Sequence, residues 1–331
     1  MFPAMVPPAV PPPRRALLVA SFLAVCTVWG STYLGIRVAL EGFPPFLLGA
    51  TRFVAAGAVL YLVARLRGEP GPRAAEWGSA LLTGSLFFVV GNGLVNVAEQ
   101  SVSSGLASVL VATMPLWATV IARAFGSRSS PREIAGIALG LAGVVVLNLG
   151  GELRASPVGA LLALLAPMGW ALGSMASKRL PLPPGTMVRT ASQMLAGGVA
   201  LAAVGLVTHE RFSAAPSARA VVAVLYLLVF GSLLGFTAYS YLLAHTRPAV
   251  ATSYAYVNPV IAVLLGVLFA REHFGATSFV GAAIVLAAVA LVGRPRPAQI
   301  LDSASRSRST LDVESVSPSK RSTAPDSPSA T

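Results

Sequence analysis

A chain of 331 residues in which 55% are hydrophobic and only 11% are charged, with a mean hydropathy of +0.74, has too little polar surface to cover itself in water. Its formal charge of +12 does not point to nucleic acid, because the Lys and Arg residues lie between apolar runs and not on one domain. What remains is a polytopic membrane protein whose first partner is the lipid bilayer and whose partners include no nucleic acid.

Residues 1–15 form a Pro-rich N-terminus ending in Arg14 and Arg15. This has the outline of a secretory signal, but the apolar run that follows is longer than a signal core, so cleavage is not expected. A helix needs roughly 20 apolar residues to cross about 30 Å of hydrocarbon. Ten such spans are predicted, near 16–36, 44–66, 78–98, 101–123, 132–150, 157–177, 187–207, 219–243, 248–270 and 275–293. The runs are continuously apolar and do not alternate, which favours helices over a β-barrel. Cys26, the single cysteine, lies in the first span and allows no internal disulfide. Residues 294–331 are rich in Ser, Arg, Asp, Thr and Pro and hold the only aspartates, Asp302, Asp312 and Asp326. Such a segment buries too little apolar surface to fold and is predicted to be a disordered cytoplasmic tail. A chain ending after Pro297 is therefore expected to insert and transport as the full chain does, and loss of insertion on truncation would overturn that reading.

Basic residues fall mostly on one side of these spans. Arg14, Arg15, Arg65, Arg67, Arg73, Arg123, Arg128, Arg132, Lys178, Arg179, Arg247, Arg294 and Arg296 share it, whereas Arg37, Arg154, Arg211, Arg219 and Arg271 face the other with Glu41, Glu99, Glu152, Glu210 and Glu272. The positive-inside rule then predicts a bacterial-type inner membrane protein with both termini cytoplasmic.

The chain also looks duplicated. Trp29 and Arg37 match Trp170 and Lys178 at one common separation, and the same register pairs Arg52 with Gln193 and Ala56-Gly57 with Gly197-Gly198. With a small further shift it pairs Gly91 with Gly235 and Pro115 with Pro259. The repeats are read as 16–150 and 157–293, each with five spans. An odd number inverts the second copy relative to the first, an arrangement found in transporters.

Several short pieces, in order, carry a resemblance: Trp29-Gly30-Ser31-Thr32-Tyr33-Leu34, Thr51-Arg52-Phe53, Gly91-Asn92-Gly93-Leu94-Val95, Ala98-Glu99, Ser104-Gly105-Leu106, Ala112-Thr113-Met114-Pro115 and the run from Ala251 to Pro259. On these residues the chain resembles the drug/metabolite transporter superfamily, specifically its EamA-domain members and among them the YedA-type exporters. The resemblance implies an all-α fold of ten transmembrane helices in two inverted five-helix repeats around a central cavity, moving small organic solutes. The family commonly places a Glu just beyond the Pro-containing helix of each repeat. Glu272 fits that pattern, but the first-half position is Arg128.

Polar groups in the spans give the site candidates. Arg52 lies inside the second span, where an exposed charge costs at least about 2.5 to 3.5 kcal/mol on insertion scales; it either faces a polar cavity as an electrostatic anchor or snorkels to a headgroup. Asn92 and Asn96, spaced i, i+4, share a helix face with Glu99 close to the same stripe. That stripe reads equally as cavity lining or as hydrogen-bonding glue worth about 0.6 kcal/mol per bond. Glu99 ends the third span and could be the partner of Arg52. Trp29, Trp170, Tyr239 and Tyr254 are candidate aromatic walls, with interfacial anchoring as the competing reading. Gln193 and Asn258 complete the cavity candidates, although Tyr254, Tyr256 and Asn258 cannot all share one face of a regular helix. Pro115 and Pro259 each remove a backbone donor and are hinge candidates. Gly35, Gly57, Gly91, Gly140, Gly143, Gly197, Gly198 and Gly235 suit close helix packing better than solute contact.

No phosphate-binding glycine loop is visible, no metal or cofactor is expected, and His209, His245 and His273 lie at different span edges, which disfavours an enzyme. The reading is a secondary transporter exporting a small-molecule substrate, a metabolite, amino-acid-like compound or drug, by alternating access. A lipid flippase or a non-transporting scaffold is the alternative, and a homodimer is left open.

Overall fold

The computed structural model describes residues 15–124, 131–149, 156–246, 254–273 and 275–293. The N-terminal segment, the tail, Arg128, Arg154 and Arg247 lie outside these residues, and with them part of the charge-based topology argument. Every regular element among the described residues is helical. The helices are α1 (Arg15–Ala39), α2 (Pro45–Leu66), α3 (Ala74–Ala98), α4 (Ser104–Val111), α5 (Met114–Ala124), α6 (Pro131–Leu149), α7 (Pro157–Ala176) and α8 (Thr186–Val207). They continue with α9, built from Ala218–Tyr226, Leu227–Leu234 and Gly235–His245, then α10 (Tyr254–Ala270) and α11 (Ala276–Gly293).

Seven stretches among the described residues are long and apolar enough to cross a membrane. They are α1, α2, α3, the α4–α5 pair from Ser104 to Ile121, α7, α8 and the first part of α9. The apolar cores of α6, α10 and α11 are shorter, at Ile134–Gly143, Val257–Ala270 and Phe279–Ala288. Over the described residues the chain is thus an all-helical, multi-pass membrane protein, and large side chains such as Leu62, Val199, Leu268 and Phe279 stay exposed on the bundle surface, where lipid is their natural solvent.

Packing is dominated by helices from opposite halves of the chain. The two most extensive pairs are α2 with α8 and α6 with α11. Glycine makes the first possible: a Cβ on Gly57 would lie 2.9 Å from the backbone nitrogen of Leu195, and one on Gly198 would lie 2.9 Å from that of Val54. In a bundle surrounded by lipid, where tails are as apolar as leucine, such close approach of backbones supplies much of the attraction.

Three loop glutamates fix the ends of this bundle. Gly68 and His209, which match in the register that pairs Trp29 with Trp170, both adopt positive φ, of 81° and 56°. Each reverses the chain after its helix and aims the next residue, Glu69 or Glu210, at the other half. Glu210 accepts from the backbone nitrogens of Phe46 at 3.1 Å and Leu47 at 2.9 Å, at the start of α2. Glu69 accepts from Val188 at 3.0 Å, at the start of α8. Since each acid follows one helix and caps the other, α2 and α8 run antiparallel, and each carboxylate meets orphan N–H groups and the positive end of a helix dipole. Arg271 repeats the device with φ 53°: the next residue, Glu272, accepts from Ser104 N at 2.8 Å and Ser104 Oγ at 2.9 Å, at the start of α4.

Two helices contain π-helical turns, Ser85–Gly93 in α3 and Leu227–Leu234 in α9. They begin at corresponding places in the two halves, close to the spacing that relates Trp29 to Trp170. The widened turn upsets the i to i−4 ladder and shifts the helix register, which is why such turns gather at functional sites.

Candidate functional site

Between the halves lies a cavity of about 110 Å³. Its walls come from α1 (Trp29, Thr32, Tyr33, Ile36), α2 (Arg52), α3 (Gly91, Asn92, Val95), α4 and the turn after it (Ser108, Val111, Ala112), Met114 of α5, Pro167 and Trp170 of α7, Phe236 of α9, and Tyr254 and Asn258 of α10. Six of the ten cavity candidates from the sequence, Trp29, Arg52, Asn92, Trp170, Tyr254 and Asn258, are in that lining.

Among the described residues, Arg52 is the only charged one in the lining. It is 5% exposed, so it does not snorkel to a headgroup. Its Nε donates to Ser232 Oγ at 2.8 Å, and its guanidinium carbon lies 4.7 Å from the centre of the neighbouring Phe53 ring. One hydroxyl and one ring face compensate only part of the cost of desolvating a cation. No ion pair joins it to Glu99, so the expected Arg52–Glu99 partnership is replaced by Ser232 and Phe53.

Trp29 is the hub of the aromatic wall. Its ring centre is 4.9 Å from Tyr254, 5.2 Å from Tyr239, 5.3 Å from Phe236 and 6.4 Å from Trp170. Tyr239 therefore stands behind the wall as its support and is not in the lining. The two tryptophans are seated by exchange between halves: a Cβ on Gly235 would collide with the Trp29 indole, and one on Gly91 would collide with that of Trp170. The absence of a side chain lets each indole press on the π-turned helix of the other half.

The same turns explain Asn92 and Asn96. Asn92 Nδ2 donates to the Phe87 carbonyl at 3.0 Å, whereas Asn96 Nδ2 donates to Pro45 O at 2.9 Å. The common stripe expected from i, i+4 spacing assumes about 3.6 residues per turn, and the π turn ending at Gly93 breaks that register. Asn92 thus belongs to the cavity and Asn96 to the joint between α3 and α2. In the second half, Gly231 matches Phe87 in the register that pairs Pro115 with Pro259. Its carbonyl accepts instead from Trp29 Nε1 at 3.0 Å.

Gln193, the repeat mate of Arg52, donates to Thr83 Oγ1 at 2.9 Å and Ser177 Oγ at 3.1 Å and joins helices outside the cavity. Asn258 faces the carbonyls of Cys26 and Tyr254, and with its amide oriented to satisfy them its nitrogen donates at 3.1 Å and 3.2 Å, tying α10 to α1. Glu99 caps the end of α3 beyond the cavity, one helical turn past the lining residue Val95. Pro115 lies in the first turn of α5, directly after the break at Ala112 and Thr113 between α4 and α5. Pro259 lies inside α10, which continues through it, so the expected pair of matching hinges has a broken chain at one member only.

Pro167 and Trp117 were missed by the sequence reading. Pro167 lies inside α7, which continues through it, beside the cavity, and the Trp117 indole donates to the Leu164 carbonyl at 2.8 Å, in the turn before that proline. A proline within an apolar span was the available signal. Among the described residues no group of three His, Cys, Asp or Glu converges as a metal site.

Comparison with known proteins places this geometry in context. The model of the EamA-like transporter family matches twice, over residues 16–149 and 157–294. The chain is 43% identical over 276 residues to YedA of Escherichia coli (strain K12), described as an uncharacterized inner membrane transporter, covering 83% of this chain and 90% of that one. It is 29% identical over 276 residues to a probable terminal-alkyne amino-acid exporter of Streptantibioticus cattleyicolor, covering 83% and 92%. A chain of known crystal structure superposes with a TM-score of 0.58 at 24% identity, covering 85% of this chain and 98% of that one, a likeness of fold alone.

Proposed function

Since this chain belongs to the EamA-like transporter family, we propose that it is a secondary transporter exporting small organic solutes that carry an anionic oxygen group on an apolar, amino-acid-like body. The observation that carries this reading is Arg52, a nearly buried cation with no carboxylate partner among the described residues, set in an otherwise neutral cavity. A carboxylate would accept charge-assisted hydrogen bonds from its guanidinium. Trp29, Trp170, Phe236 and Tyr254 would then enclose the apolar part of the solute, and Asn92 would orient its polar groups. An organic cation is disfavoured by the sign of the charge in the lining. The relative described as a probable terminal-alkyne amino-acid exporter agrees with this class.

Alternating access by two inverted repeats is the mechanism we favour, with ten spans, an inner-membrane location and both termini cytoplasmic. The antiparallel α2–α8 pair, the reciprocal Glu69 and Glu210 caps, the exchanged tryptophans and the matched π turns all support a twofold-related pair of halves. A site between two such halves is exposed to either side by rocking one against the other. Arg67 and Thr208 are repeat mates in the register that pairs Arg52 with Gln193, and both are exposed. With Cys26 replaced, single cysteines at these two positions are expected to react with a membrane-impermeant maleimide from opposite faces of the membrane. Reaction of both from one face would overturn the inversion.

The substrate is testable without prior choice. Cells with and without the protein are compared for metabolites in the medium, and each enriched compound is then followed in purified proteoliposomes beside a labelled phospholipid. Movement of an anionic or zwitterionic solute supports export. Movement of the lipid alone would favour a flippase, and movement of neither a scaffold.

A further inference from the structure

Glu99 is a buried charged residue that the cavity reading leaves unused. It is 2% exposed, and neither carboxylate oxygen has a hydrogen-bond partner among those residues. The groups that face it are Tyr33 and Arg37 of α1 and Glu272 from the turn after α10. Arg37 does not serve its carboxylate: its Nη1 donates to the backbone carbonyls of Glu99 at 3.3 Å and Val102 at 3.2 Å, and its Nε lies 3.7 Å from Glu272 Oε1. Glu272 also holds the N-terminal turn of α4. Two acids thus lie near one arginine, and only Glu272 is paired with it through its carboxylate. Tyr33 and Ile36 line the cavity one turn or less from Arg37, so this cluster sits directly over one end of the solute space and joins α1 of the first half to the α10–α11 turn of the second.

From this geometry we propose that Glu99 is a proton-binding site: it carries a proton while the Arg37–Glu272 latch is closed and releases it to water when the latch opens, linking exposure of the cavity to protons. A buried carboxyl without partners is far cheaper neutral than ionised. Burial first, and the Glu272 carboxylate second, raise the affinity of Glu99 for its proton, with Arg37 opposing. The sign follows from linkage. The closed state, with the raised value, binds the proton more tightly than an open, hydrated state, so closure is favoured at low pH and is lost as pH rises past the ordinary carboxylate range toward the raised value. This inference rests on the transporter reading, but its test needs no solute, so it can fail while solute export stands and can hold while the solute class proves wrong.

The test uses the full chain in oriented membrane vesicles with Cys26→Ala and Ile36→Cys, probed by a membrane-impermeant maleimide. The face probed is the one from which a separate Glu41→Cys variant reacts. Labelling of Ile36→Cys is expected to rise with pH, by at most about tenfold per pH unit for one linked proton, after correction for thiolate reactivity with the Glu41→Cys variant. Glu99→Gln, which imitates the protonated acid, is expected to hold labelling low and flat across the same range. Glu272→Gln, which removes the latch, is expected to raise labelling several-fold at acidic pH. Labelling of the parent that does not vary with pH overturns the proposal without any Glu99 variant. So does a pH response unchanged in Glu99→Gln, or labelling that follows sodium concentration in place of pH.

Discussion

Arg52→Gln is expected to remove most solute transport while membrane abundance and detergent stability stay near those of the parent. The substitution keeps hydrogen-bonding capacity and deletes the charge, and its repeat mate, Gln193, shows that glutamine is compatible with the corresponding helix position. A charge-assisted bond to a solute carboxylate is worth about 1.5–3 kcal/mol, so affinity for an anionic substrate should fall roughly 10- to 150-fold. Stability should not fall in proportion, because among the described residues no buried acid loses its counter-ion: Arg52 is bound to Ser232 Oγ and to the face of Phe53. Ser232→Ala should weaken transport less, since it disturbs the orientation of the guanidinium and not its charge. The double variant Arg52→Gln/Ser232→Ala should be little worse than Arg52→Gln alone, because the two share one interaction. Flux of the substrate in proteoliposomes, with abundance measured on the same membranes, decides the matter. Parental transport by Arg52→Gln at parental abundance would take Arg52 out of the site.

The placement of the helices was legible in the sequence to a degree that the placement of side chains was not. Hydropathy is a one-dimensional property, and a run such as 187–207 can only be satisfied in lipid by a helix, so α8 at Thr186–Val207 departs from its expectation only at its first residue. The proposed duplication rests on a similar signal: Trp29 with Trp170 and Gly57 with Gly198 keep one spacing in the sequence, and spacing survives when identity fades. Those pairs are also the ones that make exchanged contacts between halves.

The lining of the candidate cavity was legible where a residue type is costly in lipid and was lost where backbone geometry intervenes. Arg52 stood out because a guanidinium in a span must be accommodated somewhere. Asn92, Asn96 and Glu99 were read as one stripe by helix arithmetic, and the π turn at Ser85–Gly93 parts Asn92, in the cavity, from Asn96, at Pro45, while Glu99 ends α3 as its place in the span implied. No residue in SLFFVVGNG announces a π turn, since the glycines fit an ordinary helix as well. Gln193 was a candidate only by register with Arg52, and register transmits position but not chemistry. The glutamate caps were hidden in a different way. Each depends on a positive-φ residue before the acid, which glycine signals at Gly68 but His209 and Arg271 do not.

Gly197→Leu is expected to have the largest effect on assembly, with the protein nearly absent from the membrane or unfolding far below the parent in detergent. Gly197 is on α8 where it crosses both α2 and α3. A Cβ there would stand 2.6 Å from the carbonyl oxygen of Gly84 and 2.6 Å from the Phe88 ring. The first neighbour is backbone, so no rotamer change relieves the overlap, and Gly84 in turn faces the backbone of Gln193 and Gly197. Overpacking costs typically about 1–3 kcal/mol when side chains can adjust, and more when they cannot. Separating α8 from α3 would also strain the Gln193–Thr83 hydrogen bond and loosen Phe88 from Phe53, the ring on which Arg52 rests. Gly78→Leu is the control, because nothing lies within 4 Å of a Cβ at Gly78. Both variants add the same side chain to the same membrane protein, and only their surroundings differ. Membrane abundance by quantitative blot and thermal unfolding in detergent read the outcome. Equal behaviour of the two variants would show that α8 and α3 are farther apart than the glycine contact requires.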